Sequence, residues 1–232
     1  MTELIKQSLN QFVELIFPRN CVVCQQKLIQ NEQYLCLKCR LHMPRTDHPK
    51  TTDNPMEQLF YGRVAIERAC AFFEFKKGSP YQQILHELKY RGQKQLGEYV
   101  GKIFGANLQQ DPLIVSADLI CPVPLHPKKE RKRGYNQSYH IALGLSQSLN
   151  IPVDRTNLVR SSHTSTQTRK SRWERWQNVE GIFELQNPAK FNDKHIILVD
   201  DVVTTGATIE ACATAIKSAC NARISVLTLA IA

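Results

Sequence analysis

The sequence predicts an α/β fold built on an open, mostly parallel sheet, with a small metal-binding knuckle or ribbon near the N-terminus. Three observations carry this expectation. Short, near-continuous apolar runs recur at 68–75, 117–123, 195–200 and 224–231, as strands do when both faces of a sheet are covered. Segments with helical periodicity fall between them, which is the alternation of a parallel sheet. Four cysteines form two CxxC pairs, Cys21/Cys24 and Cys36/Cys39, ahead of all of these.

The chain has 232 residues, 42% hydrophobic and 22% charged, enough for one sizeable core plus a small appendage. No run approaches the roughly 18 apolar residues that a membrane-spanning helix requires. The division expected is an N-terminal helix, cysteine element and linker over 1–62, and a larger domain over 63–232.

Taken in order, residues 1–17 place Ile5, Leu9, Phe12 and Ile16 on one helical face. Glu3, Gln7, Asn10, Gln11 and Glu14 interrupt the segment, so it lacks the apolar stretch of a signal peptide and a cytoplasmic protein is expected. In that compartment, cysteines point away from disulfides. Cys21, Cys24, Cys36 and Cys39 have the pairing of a four-thiolate site, which suits structural zinc. The eleven residues between the pairs leave room only for a tiny fold. A redox dithiol and an iron–sulfur cluster are the alternatives. Cys70, Cys121, Cys212 and Cys220 lie in apolar stretches and read as small core residues.

Residues 43–55 are turn-rich and read as a linker. The strand at 68–75 follows. Residues 80–109 suggest two amphipathic helices broken near Gly92. The strand at 117–123 stops at prolines, 136–149 is helical, 195–200 is a buried strand, 208–219 is helical and 224–231 is a final buried strand.

Charge is distributed unevenly. The formal net charge is +9. Residues 126–135 hold Lys128, Lys129, Arg131, Lys132 and Arg133 against Glu130 alone, and 155–175 hold Arg155, Arg160, Arg169, Lys170, Arg172 and Arg175 against Glu174 alone. These two windows own the whole excess, which implies an anionic partner.

The stretch most directly tied to chemistry is IILVDDVVTTGAT, 196–208. A buried strand carries Asp200 and Asp201 at its carboxyl end, where ligands bind in open α/β sheets. The turn Thr204-Thr205-Gly206-Ala207-Thr208 then opens a helix. Its free amides and the positive end of the helix dipole suit a phosphate. The two carboxylates suit sugar hydroxyls or a divalent cation such as Mg²⁺. Together they describe a site for a ribose 5-phosphate.

This stretch resembles the motif that binds 5-phosphoribosyl 1-pyrophosphate (PRPP) in the type I phosphoribosyltransferases. With PVPLHPKKERKRGYNQ at 122–137, TQTRKSRWERWQNVEGIF at 166–183 and the N-terminal cysteines, the whole chain resembles the ComF competence-protein family. The resemblance implies a phosphoribosyltransferase-type domain with a zinc element. It implies PRPP bound by Asp200, Asp201, Thr204, Thr205, Gly206, Ala207, Thr208 and Arg133, with Asp200 and Asp201 catalytic and Mg²⁺ accompanying the substrate. It further makes 122–126 the pyrophosphate loop and 160–178 a closing loop. Three functions stay open: transfer of phosphoribosyl to an unidentified nitrogen nucleophile, single-stranded-DNA binding through 126–135 and 155–175, or regulatory PRPP binding without turnover. For DNA, Trp173 and Trp176 among the arginines are candidate base-stacking residues. Other competence proteins are candidate partners.

Overall fold

The computed structural model describes residues 18–160 and 182–232. The amphipathic helix expected over 1–17 and the Trp173/Trp176 segment lie outside the described residues.

The cysteine element begins as a tight hairpin, with an antiparallel bridge between Asn20 and Lys27 and Gln25 in the left-handed region at φ 61°. It closes on a one-turn helix, α1 (Leu37–Leu41), whose N-cap is Cys36. After the linker come α2 (Pro55–Gln58), β1 (Arg68–Glu74), α3 (Gln82–Tyr90), α4 (Lys94–Leu108), α5 (Pro112–Val115) and β2 (Leu119–Pro122). The second half contains α6 (Pro127–Arg133), α7 (Gln137–Leu149), β3 (Leu158–Arg160), β4 (Phe183–Leu185), β5 (His195–Val203), α8 (Ala207–Ala219) and β6 (Arg223–Ile231).

The main sheet is parallel throughout, in the order β1-β6-β5-β2. Strand alternation divides its side chains between two apolar layers. Cys70, Phe72, Ile197, Val199, Leu227 and Leu229 meet Ile84, Leu88, Val100, Phe104, Ile141 and Leu145 of α3, α4 and α7. Ala69, Ala71, Ile196, Leu198 and Val226 face the other way, toward Met56, Phe60, Ile209, Cys212 and Ile216. The expected parallel α/β sheet, and each strand and helix predicted within the described residues, is present. Cys70, Cys121 and Cys212 are core residues, and burial pushes the Cys70 thiol up to about 12.

Two features depart from the sequence reading. The basic stretch after β2 coils into α6, because His126 caps its start, Pro127 occupies the first turn and Gly134 ends it. A small antiparallel pair, β3–β4, flanks the region 161–181; strands of three residues are too short to leave a periodic signal.

Among the described residues, α4 packs very closely against α7. A Cβ on Gly101 would lie 2.4 Å from the Ile141 carbonyl oxygen, and one on Gly144 would lie 2.1 Å from that of Glu98. Only glycine permits this approach. It sets the position of the α7 N-terminus beside β5. The cysteine element shares the first apolar layer, through Val23, Leu28, Leu35 and Met43, and Tyr81 Oη donates to the Cys39 carbonyl at 3.0 Å.

Candidate functional site

Strand β5 carries Asp200 and Asp201 and continues to Val203, so the acids lie inside the last turn of the ladder rather than past it. Asp200 accepts a hydrogen bond from Ser138 Oγ at 2.9 Å and from the Asp201 amide at 2.9 Å. Ser138 is in place because Asn136 caps α7, accepting the Ser138 amide at 3.0 Å while its own amide group donates to the Val123 carbonyl. The RKRGYNQS segment thus reaches the acidic pair through α7. Burial, then the charge of Asp201, raises the Asp200 carboxyl to about 7; the Asp201 amide, Ser138 and Lys89 oppose the rise. Asp201 is buried, and its Oδ2 lies 3.1 Å from Lys89 Nζ.

Beyond Val203, the turn residues Thr204, Thr205, Ala207 and Thr208 are exposed. Gly206 has φ 76° and is the N-cap of α8, and no side chain caps the helix. The first amides of any helix have no intrahelical partner; here the Ala207 amide has only a long 3.5 Å contact to Thr205 Oγ1, so this helix start could accept an anion. The 204–208 turn is braced from the segment just ahead of β1. Phe60 covers Gly206, where an added Cβ would approach Phe60 Cε1 to 2.9 Å. Arg63 Nη1 donates to the Thr205 carbonyl at 2.6 Å, and Arg63 Nε donates to Glu210 at 3.0 Å. Sequence reasoning missed Phe60, Arg63, Ser138 and Lys89. Ser138 directly follows the 122–137 stretch and Lys89 lies in the 88–92 stretch, but the sequence assigns none of the four to the site, and each comes from a segment distant in sequence.

Arg133 lies at the end of α6 and donates to Gln137 Oε1. It lines a cleft of about 360 Å³ with Lys89, Tyr90, Gly92, Lys129 and Lys132. Lys128, Arg131 and Lys132 are exposed on the same helix. His126 accepts from the Lys128 amide at 3.1 Å, which makes it a cap in this structure. A larger cleft of about 500 Å³, lined by Thr46, Lys50, Phe72 and Gln109 among others, contains none of the motif residues.

The sulfurs of Cys21, Cys24, Cys36 and Cys39 all lie within 4.8 Å of one another. Cys24 and Cys36 are 3.7 Å apart, close to the roughly 3.8 Å edge of a tetrahedron with 2.3 Å zinc–sulfur bonds. Burial raises the Cys21 thiol, but amide and thiol hydrogen bonds outweigh it and leave that thiol at about 7. Burial first, then neighbouring sulfurs, push Cys39 well up. The donor set fits a metal ion. His42 bonds the Lys38 carbonyl and His48 accepts from the Ala71 amide, so both are engaged elsewhere. Among the described residues, no helix is long and apolar enough to cross a membrane.

The family model for the phosphoribosyl transferase domain matches residues 136–230, from the start of α7 into β6. With the parallel sheet and the strand–turn–helix above, the chain carries a phosphoribosyltransferase-type domain. Its relatives narrow the group. Over 193 residues it is 28% identical to the DNA utilization protein YhgH of Escherichia coli K12, covering 82% of this chain and 80% of that protein. Competence protein F of Haemophilus influenzae is 39% identical over 93 residues, 40% of this chain and 41% of its own length. Competence protein ComFC of Bacillus subtilis is 26% identical over 196 residues, 82% and 74% of the two chains. The chain is thus similar to proteins named for competence and for DNA utilization.

Proposed function

We propose that this protein binds PRPP with Mg²⁺ at the 200–208 strand, turn and helix, and that it serves DNA uptake and utilisation, as its relatives' names suggest. The observation that carries the reading is a helix start without an N-cap side chain, whose first amide has only a long contact to Thr205 Oγ1, a few residues after two adjacent carboxylates. Amides of Ala207 and Thr208, with the Thr204, Thr205 and Thr208 hydroxyls, would hold the 5-phosphate. Asp200 and Asp201 would accept from ribose hydroxyls and hold Mg²⁺ directly or through water, as oxygen donors suit a hard cation. Bound there, the cation supplies neutralising charge to the diphosphate. Lys129, Lys132 and Arg133 line a cleft with Lys89 and would stabilise the diphosphate as it leaves, if phosphoribosyl is transferred.

The exposed cations Lys128, Arg131 and Lys132 favour a second reading. In it, α6 follows the phosphates of single-stranded DNA and PRPP acts as a regulatory ligand. For the cysteines, structural zinc is the assignment. Protein purified without chelators should contain one zinc per chain by elemental analysis, and iron or no metal would refute it.

Calorimetric titration tests the central assignment. PRPP binding should require Mg²⁺ and disappear in an Asp200→Asn/Asp201→Asn double variant; unchanged affinity there would sink it. The same titration has a pH signature. The ligand site needs Asp200 as carboxylate, and its carboxyl sits at about 7, so affinity should climb about tenfold between roughly pH 6 and 8. The fold responds oppositely. A carboxyl raised above its unfolded value stabilises at low pH, and that contribution is lost as pH rises through about 7. Turnover assays across candidate bases, with and without single-stranded DNA, separate transfer from regulation.

A further inference from the structure

The sequence assigns Lys89 no role, yet two observations meet on it. Its Nζ pairs with Asp201 Oδ2 at 3.1 Å, with the lysine side chain 24% exposed and the carboxylate 6%. The same side chain forms one wall of the cationic cleft whose other wall is Lys129, Lys132 and Arg133 of α6. The two walls come from separate helices. They are tied together by Tyr135, which follows the end of α6 and whose hydroxyl donates to the Leu88 carbonyl, one residue before Lys89. Lys94 Nζ lies 5.4 Å from the centre of the same tyrosine ring. The spacing of Lys89 against α6 is therefore held by the fold.

A lysine so placed has two possible counter-charges: a buried carboxylate behind it and any polyanion in front. Four cations around one cleft repel each other, and only a ligand with several negative charges relieves all of them at once. A diphosphate does so with one compact group. We propose that Lys89 is a diphosphate-binding residue that exchanges Asp201 for the ligand. When the diphosphate fills the cleft, the ammonium turns to it, and the Asp201 carboxylate is released toward the adjoining sugar and cation position. The ion pair thus keeps the carboxylate neutralised until the anion arrives, and arrival of one half of the ligand prepares the site for the other.

The inference rests on reading the cleft as the diphosphate side of the PRPP site, so the test uses inorganic pyrophosphate without added divalent cation, alongside PRPP with Mg²⁺. Lys89→Met should weaken pyrophosphate binding about tenfold, the value of a charge-assisted contact, with the thermal transition reporting that the fold persists. Asp201→Asn releases the lysine and should tighten pyrophosphate binding several-fold. In a Lys89→Met background the Asp201 substitution should have no effect, since a two-residue cycle isolates their coupling. Unchanged pyrophosphate affinity in Lys89→Met, a tightening by Asp201→Asn that survives in the Lys89→Met background, or a wild-type protein that does not bind pyrophosphate would each overturn the exchange. A wild-type protein that shows this pyrophosphate pattern but binds no PRPP supports the role of Lys89 and refutes the PRPP reading instead.

Discussion

Replacing Arg68 with alanine should lower the unfolding free energy by about 3–5 kcal/mol, the range for removing one partner of a buried ion pair. Arg68 is 4% exposed at the start of β1. Its guanidinium donates to Asp111 Oδ2 at 2.8 Å, Glu57 Oε1 at 2.6 Å, and the carbonyls of Thr51 and His48 at 2.9 and 2.6 Å. Both carboxylates hold other structure. Glu57 completes a capping box with Asn54 at α2, and Asp111 caps α5. Without the arginine, two buried acids lose their counter-charge and the linker loses its anchor on the sheet. Urea denaturation of the variant measures the loss. An Arg68→Ala/Glu57→Gln/Asp111→Asn triple variant should recover part of it, because the stranded charges are gone. A single variant as stable as wild type would show that the cluster contributes little.

The second large effect is expected at Gly206. Valine there meets two obstacles: φ 76°, which β-branched residues avoid, and a Cβ position 2.9 Å from Phe60 Cε1. The peptide must rotate, and the amides that open α8 rotate with it. PRPP affinity should fall at least about a hundredfold, while strain at one residue costs only about 1–3 kcal/mol of stability. Combining Gly206→Ala with Phe60→Leu separates the causes. Relief of the ring contact leaves the backbone strain, so the pair should regain only part of the affinity. Wild-type PRPP binding by Gly206→Val would remove the turn from the ligand site.

Much of the architecture was legible in the sequence because apolar runs and helical periods follow from burial on the two faces of a sheet. The strands at Arg68–Glu74 and Arg223–Ile231 and the helices at Gln82–Tyr90 and Lys94–Leu108 lie within two or three residues of the expected positions. Asp200, Asp201 and the 204–208 turn stand out as candidate site residues in the sequence because they are contiguous in the chain. Their neighbours do not. Ser138, Lys89, Phe60 and Arg63 reach the site by tertiary folding, and single side chains arriving from other segments leave no local pattern. Helix α6 was hidden for another reason: its one charged face against solvent has no apolar period, and only its caps betray it. The cysteine pairs were readable by spacing as a four-sulfur cluster that could hold a metal, but not that their element is continuous with the main apolar layer through Leu35 and Met43.

The bracing of Gly206 by Phe60 and of Thr205 by Arg63 has a consequence for modular exchange among relatives. Residues ahead of the first strand furnish a wall for a turn encoded some 140 positions later, as the Arg63–Thr205 separation of 142 shows. A chimera joined at the first strand would bring together a wall and a turn from different parents. Insertions or swaps upstream are tolerable only when the Phe60–Arg63 stretch travels with its own 204–210 counterpart, so the two halves of the chain inherit as one unit.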